Sequence, residues 1–413
     1  MTLTVRTISA AQHSAWLDTA LASADAPFVS FLQLPQWGTV KVGWRPESIG
    51  WFNNSELVGV GLVLYRGVPK LPQRSLAYLP EGPVIDWDGT RLPAMRLTDW
   101  IDPMVAHLRR AGAFAIKMGP PVAVRRWSDS TIKAAITESS ETHVPTRIGA
   151  LIPNWESGAD VGRELVALGF AQEVAIGAGF GDVQPRYVFQ LGLEDRSLDE
   201  IQAGFNQQWR RNIRKAEKAG VVITNGTRSD LAAFHGVYVE TAARDGFTPR
   251  ALSYFERMWD ALNGTDSAGG SGSAGGSGSA GGSASETADL DQPAVQMSLH
   301  LAHCDGHLAA ATLMVRVGTH AWYSYGASTT ADRDAKPSNA LQWDMIKTAK
   351  ESGCRIYDMR GISDTLDHSN HLFGLVQFKL GSGGYAQEYV GEFDLDVRTV
   401  WARAYRAYAA RGK

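Results

Sequence analysis

A long run of small residues interrupts this 413-residue chain and constrains its fold more than any other feature. Ser267–Ser285 reads SAGGSGSAGGSGSAGGSAS, a six-residue repeat without one large side chain. Such a segment has nothing to bury and is predicted to form a flexible loop. A helical pattern ends near Leu262 and a strand pattern starts near Val295. Because the helices before it and the strands after it form one set, we expect the loop to interrupt a domain.

Composition narrows the class of protein. Hydrophobic residues make up 44% and charged residues 20% of the chain, which is typical of a globular protein. The formal net charge is −3, so nucleic-acid binding would need a local basic patch. Cys304 and Cys354 have no zinc-ligand spacing, and neither a metal site nor a disulfide framework is expected. The chain shows no signal-peptide pattern and no apolar run long enough to span a bilayer, which favours a cytoplasmic location.

The order of predicted elements indicates an α/β (α+β) fold. Helices precede an antiparallel meander, and helix–strand–helix–strand follows, which is the order of GNAT-type acyltransferases. Glu56–Arg66 and Gly306–Arg316 are two similar apolar strands, one in each half. We therefore expect two tandem GNAT-like domains. The predicted boundaries are 1–175 and 176–395, with the loop 267–285 inserted in the second domain and the C-terminal helix 396–413 packed back on the first.

The stretch Gly374–Phe393, GLVQFKLGSGGYAQEYVGEF, offers the first candidate site. Phe378 and Lys379 end an apolar helical run, and the glycine-rich turn GSGG follows at once. A lysine held at a helix end can serve as a fixed cation for a phosphate or an oxyanion. A surface lysine before a loop is the simpler alternative.

A basic segment offers a second candidate. The pattern predicts one helix over Asp199–Lys218, whose last half reads WRRNIRKAEK. Its five cations gather on and beside one helix face: Arg210, Arg211, Arg214, Lys215 and Lys218. Such a face attracts RNA phosphates or anionic head groups. A solvated surface is the alternative.

Two further motifs carry aromatic residues. Pro249 suits a first helical turn, so Arg250 and Tyr254 are predicted as i,i+4 neighbours at a helix start, where an anion is favoured. Tyr323 and Tyr325 alternate on a predicted strand and are expected on the same face, lining either a substrate cleft or the edge of a core.

Two segments of the first half complete the set. FLQLPQWGTVK, Phe31–Lys41, has the spacing of a helix packed on a core, with Lys41 at its end. YLPEGPVID, Tyr78–Asp86, runs from a strand into a Pro/Gly corner, for which a structural turn is a sufficient explanation.

In order and spacing, these motifs resemble the Fem family (FemABX), the aminoacyl-tRNA-dependent ligases that build peptidoglycan cross-bridges. The resemblance covers nearly the whole chain and also includes YDMRGI, Tyr357–Ile362. It implies two GNAT-like domains and two partners, an aminoacyl-tRNA and a precursor stem peptide carried on lipid II or as UDP-MurNAc-pentapeptide. Family members often insert a coiled-coil arm where this chain has its Gly/Ser loop, so the arm is expected to be absent.

The resemblance also implies residue roles. Lys41, Arg250 and Tyr254 correspond to residues that grip the precursor, and Tyr323 and Tyr325 to residues of the substrate channel. Phe378 and Lys379 correspond to the pair at the aminoacyl end. Some members carry an aspartate where this chain has Gly119, so a base cannot be carried over from that position.

The implied reaction moves Gly, Ala or Ser from the tRNA ester to a side-chain amine of the stem peptide. Lys379 or backbone N–H groups stabilise the oxyanion; Tyr325 or the ribose hydroxyl are candidates for taking the proton. Because the ester is already activated, no cofactor or metal is expected. The aromatic, basic C-terminal helix leaves open a peripheral contact with the inner membrane surface.

Three other functions remain open from the sequence. A tRNA-dependent ligase for a peptide natural product would share every motif. A CoA-dependent GNAT acyltransferase would need a glycine-rich pyrophosphate cradle, and Thr329–Pro337, at that place, contains no glycine. A non-enzymatic RNA- or envelope-binding protein would use the basic helix alone.

Overall fold

The structure, a computed structural model, describes residues 3–23, 26–68, 71–142, 144, 146–172, 184–264 and 294–410. The predicted Gly/Ser loop at 267–285, the boundary predicted between residues 175 and 176, and the last three residues lie outside this part of the chain.

The described chain contains both strands and helices throughout its length. The strands are β1 (Thr4–Ile8), β2 (Arg45–Asn53), β3 (Glu56–Val68), β4 (Leu71–Leu79), β5 (Ala113–Met118), β6 (Ala123–Ser128), β7 (Asn154–Trp155), β8 (Ala171–Gln172), β9 (Tyr187–Gly192), β10 (Val222–Gly226), β11 (Val295–Cys304), β12 (His307–Val317), β13 (His320–Ser328), β14 (Ile356–Gly361), β15 (Tyr385–Tyr389) and β16 (Phe393–Asp396). The helices are α1 (Ala10–Leu21), α2 (Leu97–Arg110), α3 (Asp129–Thr142), α4 (Val161–Ala167), α5 (Leu198–Gly204), α6 (Gln207–Lys218), α7 (Leu231–Asp245), α8 (Leu252–Asn263), α9 (Pro337–Glu351), α10 (Phe373–Leu380) and α11 (Thr399–Ala410). The predicted α/β class is confirmed.

The chain divides into two compact units. The first comprises Met1–Gly192, Ala203–Trp209 and Asp358–Lys413, and the second comprises Leu193–Gln202 and Arg210–Tyr357. These units differ from the predicted domains 1–175 and 176–395, because residues 358–395 group with the N-terminal part of the chain. The helices of the described residues are all too short or too polar to span a membrane.

The first unit is built on a seven-stranded sheet in the order β1-β2-β3-β4-β5-β16-β8. Its strands pair antiparallel except β4 and β5, which are parallel. The apolar face of α2 covers this sheet with Trp100, Met104 and Leu108, all at most 1% exposed. The indole N–H of Trp51 on β2 donates to the Trp100 carbonyl at 2.7 Å, which ties the helix to the sheet.

The same unit holds a second run of strands, in the order β14-β9-β15-β6-β7, of which β14 belongs to it from Asp358 onward. The sequence pattern after the glycine turn predicts one strand over Tyr385–Phe393. This is wrong in its extent, because Tyr385–Tyr389 forms β15 in this run and Phe393 begins β16 in the seven-stranded sheet. Gly391, between them, adopts a φ of +87°, which is open to glycine and lets the chain change sheets. On α11, Ala402 is buried against Phe114 of β5.

The second unit contains an antiparallel meander, β10-β11-β12-β13. Helices α7 and α8 pack on it through an aromatic cluster, and α9 packs against β11 and β12. The helix predicted over Asp199–Lys218 is interrupted, because α5 ends at Gly204 and α6 begins at Gln207. Asn206 causes this break: its side-chain oxygen accepts the backbone N–H of Trp209 at 2.8 Å and so caps the new helix.

Candidate active site

The glycine turn after α10 is required by close packing. A Cβ at Gly381 would lie 2.2 Å from Trp209 Cδ1, and a Cβ at Gly384 would lie 2.1 Å from the Gln190 carbonyl oxygen. Gly383 has a φ of +74° and lies against the Gly204 backbone. These contacts leave no room for side chains in the turn. The turn therefore fixes the end of α10, which carries Phe378 and Lys379.

Lys379 is buried, with 3% of its surface exposed. Its Nζ donates to the Gly361 carbonyl oxygen at 2.6 Å and to the Arg360 carbonyl oxygen at 3.4 Å. Burial lowers the pKa of Lys379 from 10.5 to about 7, while nearby Asp358 opposes this shift and Arg360 adds to it. The predicted alternative of a surface lysine is therefore wrong; the side chain is an amine fixed in a buried setting.

Phe378, the partner of Lys379 in the sequence motif, packs on Trp209. The two ring centroids lie 5.1 Å apart, and the Trp209 indole N–H donates to the Phe378 carbonyl oxygen at 2.8 Å. Phe378 is partly buried. The aromatic pair fixes the backbone immediately before Lys379.

Buried polar groups surround β14, whose carbonyl oxygens accept the hydrogen bonds from Lys379. Asp358, on β14, is 1% exposed and accepts the Arg360 backbone N–H at 2.6 Å. The Gln190 amide nitrogen donates to Asp358 and to the Tyr389 hydroxyl oxygen, both at 2.9 Å. Burial raises the pKa of Tyr389 well above its ordinary range, and Asp358 reinforces the shift. The phenol therefore stays protonated beside the carboxylate.

The Pro/Gly corner after β4 lies next to Arg360 of β14. Glu81 is 5% exposed, and its Oε1 lies 3.5 Å from Nη1 of Arg360. Gln33, from the Phe31–Lys41 motif, donates to the Glu81 and Gly82 carbonyl oxygens at 2.9 and 3.1 Å. The motif for which a structural turn was a sufficient explanation thus carries a buried carboxylate. A glutamate in an otherwise apolar Pro/Gly corner was the sequence signal for it.

Lys41 lies at the end of the same motif. The helix predicted there is shorter than expected: a 3₁₀ helix over Pro35–Thr39 ends before Lys41. Trp37 of this helix packs edge-on against Phe31, and the Arg360 guanidinium carbon lies 5.9 Å from the Phe31 ring centroid. Lys41 is partly buried, and its carbonyl oxygen accepts the Trp44 backbone N–H at 3.2 Å.

The second unit brings three of the predicted residues together. Arg250 precedes α8, which begins at Leu252, so the predicted helix start at Pro249 is wrong. Its guanidinium carbon still lies 4.6 Å from the Tyr254 ring centroid. The hydroxyl oxygens of Tyr254 and Tyr325 are 3.1 Å apart. Burial, reinforced by Tyr325, raises the pKa of Tyr254 well above its usual range. A cation and two phenols therefore meet here.

Tyr323 does not share the face of Tyr325, and that prediction is wrong. Tyr325 pairs with Leu313, whereas Tyr323 pairs with the adjacent residue Met314, so Ser324 is an extra residue in the strand. A β-bulge of this kind reverses the alternation of side chains. Tyr325 contacts the α7–α8 cluster, whereas Tyr323 lies toward Gly326, and burial raises the pKa of Tyr323 to about 12.

The basic helix α6 presents its cations to solvent. Ile213 and Ala216 are at most 2% exposed and form its buried side. Arg210 is partly buried, and the other four cations are exposed: Arg211, Arg214, Lys215 and Lys218. The helix is therefore amphipathic with a basic outer surface.

Comparison of the chain with known proteins identifies its family. The sequence model of the FemAB family matches residues 22–267 and 296–410. The lipid II:glycine glycyltransferase of Staphylococcus saprophyticus is 26% identical over 403 residues, which is 89% of this chain and 88% of that protein. The enzyme of the same name from Staphylococcus aureus strain MRSA252 is 26% identical over 408 residues, with the same two shares covered. The crystal structure of FemX superimposes with a TM-score of 0.70 at 22% identity, over 97% of this chain and 99% of that one. The chain belongs to the FemAB family.

Proposed function

We propose that this chain is an aminoacyltransferase that adds an amino acid to the side-chain amine of a peptidoglycan stem peptide, forming part of an interpeptide bridge. The match to lipid II:glycine glycyltransferases over 89% of this chain is the observation that carries the proposal. The acceptor is lipid II or UDP-MurNAc-pentapeptide, the donor is an aminoacyl-tRNA, and the amino acid is Gly, Ala or Ser.

The chemistry that we propose is an aminolysis of the tRNA ester. The acceptor amine attacks the ester carbonyl carbon, a tetrahedral oxyanion forms, and the C–O bond to the ribose breaks. Lys379 supplies a buried amine, whose protonated form is worth more against a developing negative charge than an exposed ammonium because its surroundings are poorly solvated. The ring of Phe378 and the glycine turn hold it in place.

We propose a binding role for one cation of each unit, considered separately. Lys41 of the first unit is a candidate for binding a phosphate of the precursor, and so is Arg250 of the second. Tyr254 and Tyr325 supply a pair of hydroxyl groups beside Arg250. Because the bulge turns Tyr323 to the other face, we no longer assign that residue to the substrate channel.

We assign the tRNA contact to α6. Its exposed cations can neutralise backbone phosphates without reading sequence, so binding through them should weaken steeply with salt. For lipid II, whose lipid lies in a bilayer, we propose that the protein works at the cytoplasmic membrane face. The candidate contact with the membrane lies on α11, where Val400, Trp401 and Arg403 are exposed.

The proposed function is tested by an in vitro transfer assay. Purified protein is given lipid II or UDP-MurNAc-pentapeptide with tRNA charged with Gly, Ala or Ser, and the extended stem peptide is detected by mass spectrometry. Lys379→Ala should lower kcat by roughly 10²–10³-fold, equivalent to about 2.7–4 kcal/mol, with acceptor affinity retained. Lys41→Ala should instead weaken acceptor binding first.

Two results would reject this assignment. Absence of product with every charged tRNA and both acceptors would reject the activity. Wild-type kinetics in both lysine variants would reject the site.

A further inference from the structure

Glu81 has an unusual environment for a buried carboxylate. Its side chain is 7% exposed, and its one ionic contact among the described residues is the 3.5 Å approach of Oε1 to Arg360 Nη1. Oε2 is buried and has no hydrogen-bond partner among the described residues. A buried carboxylate oxygen without a donor is costly, so a structural ion pair would be expected to use both oxygens at shorter distances. This arrangement leaves one acceptor ready for another donor.

Both members of this ion pair have strained backbones. Glu81 has a φ of +53° and Arg360 a φ of +62°, in the left-handed region that glycine tolerates best. The other non-glycine residues with positive φ in the described chain are Asn54, Asp195, Asp305 and Lys336, most of them the Asn and Asp residues that turns favour. Strain of this kind persists where the surrounding structure requires a particular side chain, commonly at functional sites.

Arg360 links Glu81 to Lys379. Its guanidinium faces Oε1 of Glu81, and its carbonyl oxygen, with that of Gly361, accepts from Lys379 Nζ. Glu81 also lies within electrostatic reach of Tyr78 and Tyr389, because its charge helps to raise the pKa of both phenols. The free carboxylate oxygen and the buried lysine therefore belong to one polar cluster in one compact unit.

We infer that Glu81 is a catalytic residue that binds the ammonium group of the acceptor side chain through Oε2 and takes its proton; this rests on the proposed function. The acceptor starts as R–NH₃⁺. One proton passes to Oε2, the C–N bond forms, the ester C–O bond breaks, and the ribose oxygen takes the second proton. The proton on Glu81 then leaves to solvent.

The test combines transfer with binding. Glu81→Gln keeps the shape of the side chain and removes its charge, Glu81→Asp keeps the charge, and Glu56→Gln, an exposed glutamate of the same unit, is the matched control. Transfer is measured with a lysine-containing acceptor. Affinity is measured by calorimetry for UDP-MurNAc-pentapeptide and for its Nε-acetyl-lysine derivative, which has no ammonium group. Melting temperatures report whether each variant folds.

We expect Glu81→Gln to lower kcat/KM at least 100-fold while keeping the wild-type melting temperature, Glu81→Asp to lie between, and Glu56→Gln to match wild type. Wild type should prefer the free amine over the acetylated acceptor at least tenfold, and Glu81→Gln should lose that preference. Wild-type transfer by Glu81→Gln overturns the inference. If the wild-type protein transfers nothing, the proposed function fails. The binding measurement then tests the inference on Glu81 by itself: equal wild-type affinity for the free and the acetylated acceptor overturns it.

Discussion

At the scale of single residues, the burial of Lys379 lowers the free energy of unfolding. Transferring an ammonium from water into a buried site disfavours the charged form, and two backbone carbonyl oxygens replace only part of its hydration. Asp358 offsets some of this cost and Arg360 increases it. A buried lysine of this kind is expected where its charge is used, because a methionine of similar length would pack there without desolvation.

The first prediction concerns Lys379→Met and the pH dependence of stability. The pKa of Lys379 is about 7 in the folded chain, against an ordinary value of 10.5. Between these values the unfolded chain binds more protons, so the wild-type free energy of unfolding should rise with pH through this window. Lys379→Met should flatten that rise and increase the free energy of unfolding at pH 7 by on the order of 2 kcal/mol.

Urea unfolding from pH 6 to pH 10 measures this effect. Lys133→Met, which changes a much more exposed lysine in the same unit, is the control and should keep the wild-type pH slope. An unchanged slope in Lys379→Met would show that the lysine is not desolvated in the folded chain. The same variant should be inactive in transfer.

At the scale of elements, the bulge in β13 decides which tyrosine meets the α7–α8 cluster. One extra residue, Ser324, separates the pairs Leu313–Tyr325 and Met314–Tyr323. Without it, both phenols would lie on one face, as the period of two in the sequence predicts. The position of the Tyr323 ring also requires glycine at residue 326, because a Cβ there would lie 2.0 Å from the Tyr323 hydroxyl oxygen.

A substitution at Gly326 tests this packing. Gly326→Ala should destabilise the second unit by about 1–3 kcal/mol, because the new methyl group displaces the Tyr323 ring. Tyr323→Leu removes the obstructing ring end, so the double variant should be more stable than the sum of the two single changes predicts. Chemical denaturation of all four proteins measures the coupling. Strict additivity would mean that the two side chains do not meet.

At the scale of the whole molecule, the first unit is assembled from distant parts of the chain. Strand β16 lies between β5 and β8, and β15 lies between β9 and β6. Phe393 of β16 is fully buried in the core that Trp51 and Trp100 share. Each of these C-terminal strands therefore lies between two strands that come from the first half of the chain.

Truncation tests this assembly. A chain ending at Tyr357 lacks β15, β16 and the Lys379 helix, so its first unit should expose an apolar core and fail to fold cooperatively. A chain ending at Arg398 loses only α11, which contributes Ala402 and Tyr405 to a small cluster, and should remain folded with a lower melting temperature. Circular dichroism and thermal melts compare the two. Cooperative melting of the shorter chain at the wild-type temperature would contradict this account.

Much of the local structure was predictable because it depends on nearby residues. The apolar strands β3 and β12 follow from periodicity, and their ends agree to within a few residues. The break before α6 was missed because Asn206 caps a helix only when the preceding turn opens. The start of α8 was misplaced since Pro249 suits an extended lead as well as a first helical turn.

The candidate site was predictable in part. Sequence motifs named Lys379, Phe378, Arg250 and Tyr254, but the bulge that moves Tyr323 depends on strand pairing and leaves no mark in one strand's sequence. Glu81 was treated as part of a turn because its burial depends on contacts with Gln33 and Arg360, far away in the chain. Residues joined by long-range contacts are the ones that sequence spacing cannot place.

By itself, the sequence determined the α/β class, the order of elements, the motif set and the likeness to the Fem family, because these depend on local periodicity and on residue identity along the chain. The tertiary structure alone decided that Lys379 is a buried amine, that Glu81 faces Arg360 with one oxygen unpartnered among the described residues, and that residues 358–395 belong with the N-terminal unit. The physical reason is that desolvation, ion pairing and sheet completion arise only when segments distant in sequence come into contact.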